Sequence, residues 1–309
     1  MNDRLGFSLT QLRYFVVSAE LGNISEAAEK LCASQSTVSS AVMRLERQLG
    51  VQLLLRHHAR GVSLTPSGRH LLREARALLG QARNLKAQGD ALAGGTAGQL
   101  DVGFLLALSP FLLPMAHRVA GERYGALRLN VHEESADGVL KALQDGRCEM
   151  AVTYGFLSGE SRFHPLADLP VHALVADDDP RGLSGPLGLD ELAVRPLVTV
   201  NDPAVLRHTE ALFADASVRM PRVMTATSVE TVRGLVAAGA GFTLMCQRVP
   251  NTTTLDGGRV REVELLGDLP SVSLGVAVMP DLTMSSRGGA FLDVLRSAVS
   301  ISSEANSHV

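Results

Sequence analysis

Cysteine is scarce in this 309-residue chain, and the three present, Cys32, Cys148 and Cys246, stand far apart. No C-x-x-C pair and no zinc-ligand spacing occurs. That argues against a disulfide scaffold or a structural zinc site and fits a reducing compartment, so a cytoplasmic protein is expected. Both Cys148 and Cys246 fall at strand ends, where buried, apolar cysteine is the ordinary expectation. No stretch approaches the ~18 uninterrupted apolar residues of a membrane span, so no membrane partner is expected. The opening MNDRLGFSLTQLRYF has no basic region followed by an apolar run, and no signal peptide is expected. Also missing are G-x-S-x-G, a Walker A loop, H-E-x-x-H and a G-x-G-x-x-G after a strand. The expectation is a protein that is not an enzyme and needs no cofactor. The pair His57–His58 could suggest a metal, but no third ligand is near, and no metal site is assigned.

What is present is a 46% hydrophobic composition, enough for sizeable cores, and an uneven charge. Residues 1–90 hold twelve Lys and Arg against seven Asp and Glu, a net +5. The remainder carries −8, within a total of −3. A basic head on an acidic body suits phosphate contact by the head alone.

Residues 25–49 give the head its character. With Val38 set at zero, Val42, Leu45 and Leu49 fall within about 40° of it at helical spacing, an apolar stripe for a core. Ser36, Ser39, Ser40, Met43 and Arg47 fall together on the far side. Short hydroxyls with one cation leave that face free to enter a groove, as the second helix of a helix-turn-helix must. The other reading is the solvated face of an ordinary helical hairpin. Around it the spacing predicts a first helix over 9–21, ended by Gly22–Asn23, and a second from Glu26 to Leu31 capped by Ser25. Cys32–Ser34 then makes a turn, with Gly50 closing the helix that begins at Gln35. The runs Val51–Leu55 and Val62–Thr65 read as two short strands around a basic tip holding Arg56 and Arg60, a wing.

Thr65–Pro66 is a helix start, with a hydroxyl at the cap and proline in the first turn. The helix continues to about Ala93, roughly 40 Å at ~1.5 Å per residue. Leu71, Ala75, Leu78, Ala82, Leu85 and Leu92 form a heptad seam, which either packs on its own chain or, the favoured reading, pairs with a second copy. Gly94–Gly98 is a hinge. Beyond it strands alternate with helices, which predicts a mostly parallel sheet in two α/β lobes. The expected boundaries are a head over 1–65, a linker over 66–95 and a two-lobed domain over 96–309. Lobe I takes about 96–170 and 271–309, and lobe II about 171–270.

The segment from Leu9 to Ala75 strongly resembles the LysR-type bacterial transcriptional regulators. The matching details are LRYF at Leu12–Phe15, Ala27, Ala28 and Leu31, SQSTVS at Ser34–Ser39, Leu45, Glu46, Leu49 and Gly50, and LTPSG at Leu64–Gly68. Gly103–Pro114, Ala142–Gly155 and Thr225–Met245 are similar to the family's effector domain. The resemblance implies a winged helix-turn-helix, a dimerising linker helix and a domain like the periplasmic binding proteins. It implies double-stranded operator DNA and a small-molecule effector as partners, RNA polymerase as a further candidate, and a homodimer or homotetramer. Carried over residue by residue, Ser25, Gln35, Ser36, Ser39, Ser40, Arg56 and Arg60 are the candidate DNA contacts. Ser40 departs from the pattern, since many relatives carry Arg or Gln there. A bidentate contact to guanine is lost with it, about 1–3 kcal/mol of discrimination.

In a two-lobed α/β domain the ligand sits at the carboxyl ends of strands, between the lobes. That selects Leu106, Ala107, Ser109, Ser135, Tyr154, Asn201, Thr227 and Ser228 as candidate effector contacts. Free amides at helix starts would suit a carboxylate. Against that, apolar Leu105–Leu108 and Ala136 stand where relatives carry hydroxyls, which points to a partly apolar effector. Helix capping is the plain alternative for Ser135, Asp202 and Thr227, and core packing for Tyr154. Two other classes compete, an enzyme on the α/β lobes and a transport-type solute-binding protein. The motifs absent above oppose the first, and the fused basic head opposes the second.

Overall fold

The computed structural model describes residues 6–57, 61–92, 95–179, 185–248, 251–280 and 283–306. The chain divides into two compact units, Met1–Asp90 with Gln144–Arg147, and Ala91–Leu143 with Cys148–Val309.

In the first unit, a reciprocal cap starts α1 (Leu9–Leu21). The Gln11 amide donates to the Ser8 hydroxyl, and the Ser8 amide donates to Gln11 Oε1. Helix α2 (Ile24–Lys30) follows at once. Its cap is Asn23, which accepts the Ser25 amide at 2.9 Å, so Ser25 lies inside the helix and is not its cap. Gly22 already turns the chain at φ +63°, leaving Asn23 as the last extended residue before the helix. Helix α3 (Gln35–Leu49) is capped by Ser34 and closed by left-handed Gly50. Val38, Val42 and Leu45 are fully buried, as the stripe predicts.

The wing is β1 (Leu54–His57) paired antiparallel with β2 (Gly61–Leu64). Its tip, including His58 and Arg60, lies outside the described residues. The first strand starts later than Val51, at Leu54, where Glu46 Oε1 accepts the Leu53 and Leu54 amides at 2.8 and 3.0 Å. The Val62 amide donates to the Gly22 carbonyl at 2.7 Å, and a Cβ on Gly61 would overlap that carbonyl oxygen. The site therefore admits only glycine. Thr65 accepts the Gly68 amide and donates to the Gln52 carbonyl, starting α4 (Pro66–Leu92) as expected. The seam on α4 is shorter than the spacing suggests. Leu71, Leu72 and Ala75 pack into the head's own core with Leu12, Phe15 and Val16. Among the described seam positions, Leu78 and Leu85 are exposed, at 39% and 72%.

The second unit begins with β3 (Gly98–Leu105), α5 (Ser109–Arg123), β4 (Leu127–Glu134), α6 (Ala136–Gln144), β5 (Met150–Tyr154) and β6 (Arg162–Leu169). The chain then crosses to β7 (His172–Ala176), α7 (Leu189–Leu192), β8 (Leu197–Val200) and α8 (Pro203–Asp215). Next come β9 (Val223–Ala226), α9 (Val229–Ala237), β10 (Thr243–Met245) and β11 (Val260–Glu264). It returns through β12 (Val272–Val278) and ends in α10 (Ser286–Asn306). Lobe I is a five-stranded sheet in the order β4-β3-β5-β12-β6. Helices α5 and α10 pack on one face, and Val139, Ala142 and Leu143 of α6 on the other. The sheet is mixed rather than mostly parallel. β3 pairs parallel with β4 and β5, whereas the returning β12 runs antiparallel between β5 and β6. Lobe II holds the antiparallel ladder β10-β7-β11 and the parallel pair β8-β9. A bridge between Leu197 and Phe242 joins them.

Strand β6 and the short α7 were not among the elements the pattern predicts. β6 carries Pro165, which removes a ladder donor, and it is tolerated because β6 is an edge strand. The cap of α9 is Ser228, one residue after the expected Thr227, because Ser228 is the last extended residue.

Candidate DNA-binding face and effector cavity

Helix α3 presents opposite faces. Ser36, Ser40, Met43, Arg44 and Arg47 are exposed, and Ser39 is half-buried. Gln35 is exposed in the first turn, Ser25 on α2 and Arg56 on β1. The Ser36 hydroxyl is 2.9 Å from that of Ser34, and Thr37 is 2.7 Å from the same group. Both therefore belong to the capping cluster at the helix start. A shallow groove runs along α3, bounded by Ser8, Thr10, Thr37, Ser40 and Arg44. Thr37 and Arg44 were missed in the sequence because each sits at the margin of the far face. The Ser25 amide is already taken by Asn23, so only its hydroxyl is available outward.

In the second unit a cavity of about 100 Å³ lies where the lobes meet. Tyr154 ends β5, and Phe156 follows in the next turn. Val205, His208, Thr209 and Leu212 come from α8, at the i, i+3, i+4, i+7 spacing of one helical face. Thr199 and Val200 end β8, and Val232 comes from α9. The stretch from Thr243 to Gln247 closes one wall, and Val171 and Val272 come from the two crossings between lobes.

Three rings form a column here. Tyr154 stacks on Phe156 with centroids 5.5 Å apart, and Phe156 on His208 at 3.8 Å and 5°. Burial holds His208 below the ordinary imidazole value, and its Nε2 is buried without a hydrogen-bond partner among the described residues. The Tyr154 hydroxyl accepts from Gln247 Nε2 and has the Cys246 sulfur at 3.5 Å. Burial drives the Tyr154 pKa well up and pushes the Cys246 thiol to about 11.

Of the candidate effector contacts, Ala107 and Tyr154 line this cavity. Ser109 is buried at the start of α5, with its hydroxyl 3.4 Å from the Leu105 carbonyl. Leu106, Ser135, Asn201, Thr227 and Ser228 line none of it. Ser135 accepts the Gly138 amide in α6, and Ser228 accepts the Thr231 amide in α9, so both act as caps. Asp202 caps α8 by accepting the Ala204 amide at 2.9 Å. Phe156, His208, Thr209 and Gln247 are the additions the sequence reading lacked. The face of α8 was legible from its spacing, but nothing local tied it to Tyr154.

Residues 9–69 match the model for bacterial regulatory helix-turn-helix proteins of the lysR family, and residues 93–300 match the LysR substrate binding domain. The hydrogen peroxide-inducible genes activator of Pectobacterium carotovorum subsp. carotovorum is 30% identical over 81% of this chain and 83% of its own. The structure of a cysteine-to-serine mutant of Corynebacterium glutamicum OxyR, bound to hydrogen peroxide, is 27% identical, with a TM-score of 0.61 over 96% of this chain and 93% of that one. A full-length cysteine-to-aspartate variant of OxyR from Pseudomonas aeruginosa reaches a TM-score of 0.73 over 95% and 97%, and at 24% identity it shows the fold alone. A winged helix-turn-helix followed by a two-lobed effector domain defines a DNA-binding transcriptional regulator rather than an enzyme. The chain belongs to the LysR family of bacterial regulatory proteins.

Proposed function

We propose that α3 enters the major groove of an operator in the cytoplasm, and that the cavity beside Tyr154 is the effector site. The observation that carries the DNA reading is the division of α3. Val38, Val42 and Leu45 are fully buried, while the opposite face holds exposed Ser36, Ser40 and Arg47. Gln35, Ser36, Ser39 and Ser40 meet base edges or nearby phosphate. Ser25, Arg44, Arg56 and Arg60 meet the backbone. The head is 1–65, the linker 66–95 and the effector domain 96–309, with its lobes divided near 170 and 271. Exposed Leu78 and Leu85 pair α4 with a second copy, giving a dimer or a dimer of dimers that sets two heads on one operator.

The effector acts by binding rather than by oxidising a thiol. The relative from Pectobacterium is named for peroxide-inducible genes. In this chain the thiol beside the cavity is Cys246, kept protonated by burial, whereas the thiolate is the reactive form. Cys148 is buried in an apolar cluster with Val139 and Leu143. The ring column and the α8 face supply a cavity of the kind that recognises a small molecule.

The test is binding of the full chain to DNA flanking its own gene, at several salt concentrations. Specific binding that weakens steeply with salt is expected, and salt-insensitive association would overturn the reading. Arg44→Ala should weaken specific and non-specific binding alike and lower the salt slope by about one. Ser39→Ala should reduce specific binding far more than non-specific.

A further inference from the structure

Among the described residues, no lysine, arginine, aspartate or glutamate lines the cavity. Its histidine, His208, is disfavoured in the charged form by burial. A carboxylate taken into such a place would lose its hydration and find no countercharge. The usual substitute for a countercharge is a set of helix N-terminal amides. Helix α9 begins at the cavity with Val229, and its Thr231 amide is taken by the Ser228 hydroxyl; α6 and α8 begin nearby and both face a carboxylate of the chain itself. Asp202 Oδ1 accepts the Ala204 and Val205 amides of α8, at 2.9 and 3.4 Å, and Oδ2 accepts the Ala136 amide of α6 at 2.9 Å. The anion that two helix starts would attract is built in.

Of the polar side chains that line the cavity, Thr199, Thr209, His208 and Gln247 among them, the Tyr154 hydroxyl is the one at the end of the ring column. The Tyr154 oxygen accepts the Gln247 N–H and, at 3.5 Å, the Cys246 thiol, so the hydroxyl takes part in these contacts as an acceptor. Its own proton can then be donated to a ligand carbonyl in the cavity. Ring faces of Tyr154, Phe156 and His208 and the aliphatic walls from Val200, Val205 and Leu212 supply the rest. The volume of about 100 Å³ is smaller than the ~150 Å³ apolar cavity that takes benzene, which limits the ligand to a single ring.

We propose that this cavity takes a neutral, single-ring-sized apolar molecule with one hydrogen-bond acceptor, such as an aryl ketone or ester, and discriminates against carboxylates. The proposal rests on the cavity being the effector site. Three probes of one shape test it on the full chain by calorimetry near pH 7.5: acetophenone, benzoate and ethylbenzene. The first two differ by a methyl group against an oxyanion, and the first and third by the carbonyl.

Acetophenone is expected to bind at least tenfold more tightly than benzoate and severalfold more tightly than ethylbenzene. Tyr154→Phe, which keeps the ring column, is expected to erase the advantage over ethylbenzene. Val205→Trp, which fills the space, is expected to abolish binding of both. Benzoate binding as tightly as acetophenone would overturn the ligand class and leave the cavity as the effector site. Ethylbenzene matching acetophenone in the unmodified chain would remove the acceptor requirement, whatever the behaviour of the variants. No binding by any probe, or binding indifferent to Val205→Trp, would overturn the cavity itself.

Discussion

Asp202 Oδ2 accepts the backbone amide of Ala136 at 2.9 Å, although the two residues lie 66 positions apart and in different lobes. The other oxygen of the same carboxylate caps α8. One side chain therefore satisfies amides at the starts of two helices, each of which concentrates positive potential there. The separation of the lobes at this edge of the cleft is set by a charge and two dipoles, not by apolar packing alone.

Removing that carboxylate should cost stability twice. Asp202→Ala loses the α8 cap, about 1 kcal/mol, and leaves the amide of buried Ala136 without its acceptor, a further ~1–3 kcal/mol. Asp202→Asn keeps an acceptor oxygen and should recover much of the cap. Thermal unfolding of the two variants beside the parent gives the comparison. An unchanged midpoint for Asp202→Ala would show that the bridge contributes nothing net.

Histidine burial makes a pH prediction with a definite sign. His164, His172 and His208 all sit below the ordinary imidazole value of 6.5, each chiefly through burial. The unfolded chain therefore binds protons more readily in this window. Stability is complete above about 6.5, near the unfolded value, and declines as the pH falls toward the lower folded values. His208→Phe, which keeps a ring against Phe156, should show a shallower fall in unfolding midpoint between pH 7 and 5 than the parent. Equal slopes would mean that His208 titrates alike in both states.

The helix-turn-helix was legible in the sequence because its information is local. Capping residues, two glycines at helix ends and one apolar stripe all lie within some forty residues, and each acts within a turn or two of itself. The cavity was less legible because eight separate segments build it. Tyr154 and Ala107 could be named from strand ends, but their partner His208 comes from a helix with an aspartate-proline start and no distinguishing motif. Serines at helix starts suit both a ligand contact and a cap by sequence, and the structure shows Ser135 and Ser228 making the capping bonds. β6 escaped notice because Pro165 argues against a strand everywhere except at an edge. Even the position of Gly275 opposite it depends on the partner strand, since a Cβ there would strike the His164 carbonyl oxygen.

The linker helix yields the last prediction. Its heptad spacing runs from Leu71 to Leu92, but the first part is used up within the head, where Leu72 and Ala75 are 7% and 4% exposed. Leu78 and Leu85 are the described seam positions left facing outward. An exposed apolar row on a long helix is stable in water only at a cost in hydration that pairing removes. Leu78→Asp places a charge in that row and should shift sedimentation toward the monomer while leaving the head folded, because Leu78 contributes little to the head's own core. Operator affinity should fall by a larger factor than the affinity of a single head for a half-site, since linking two heads makes the second contact intramolecular. A variant that sediments unchanged would move the pairing surface away from α4, and one that loses both affinities equally would mean that Leu78 supports the head instead.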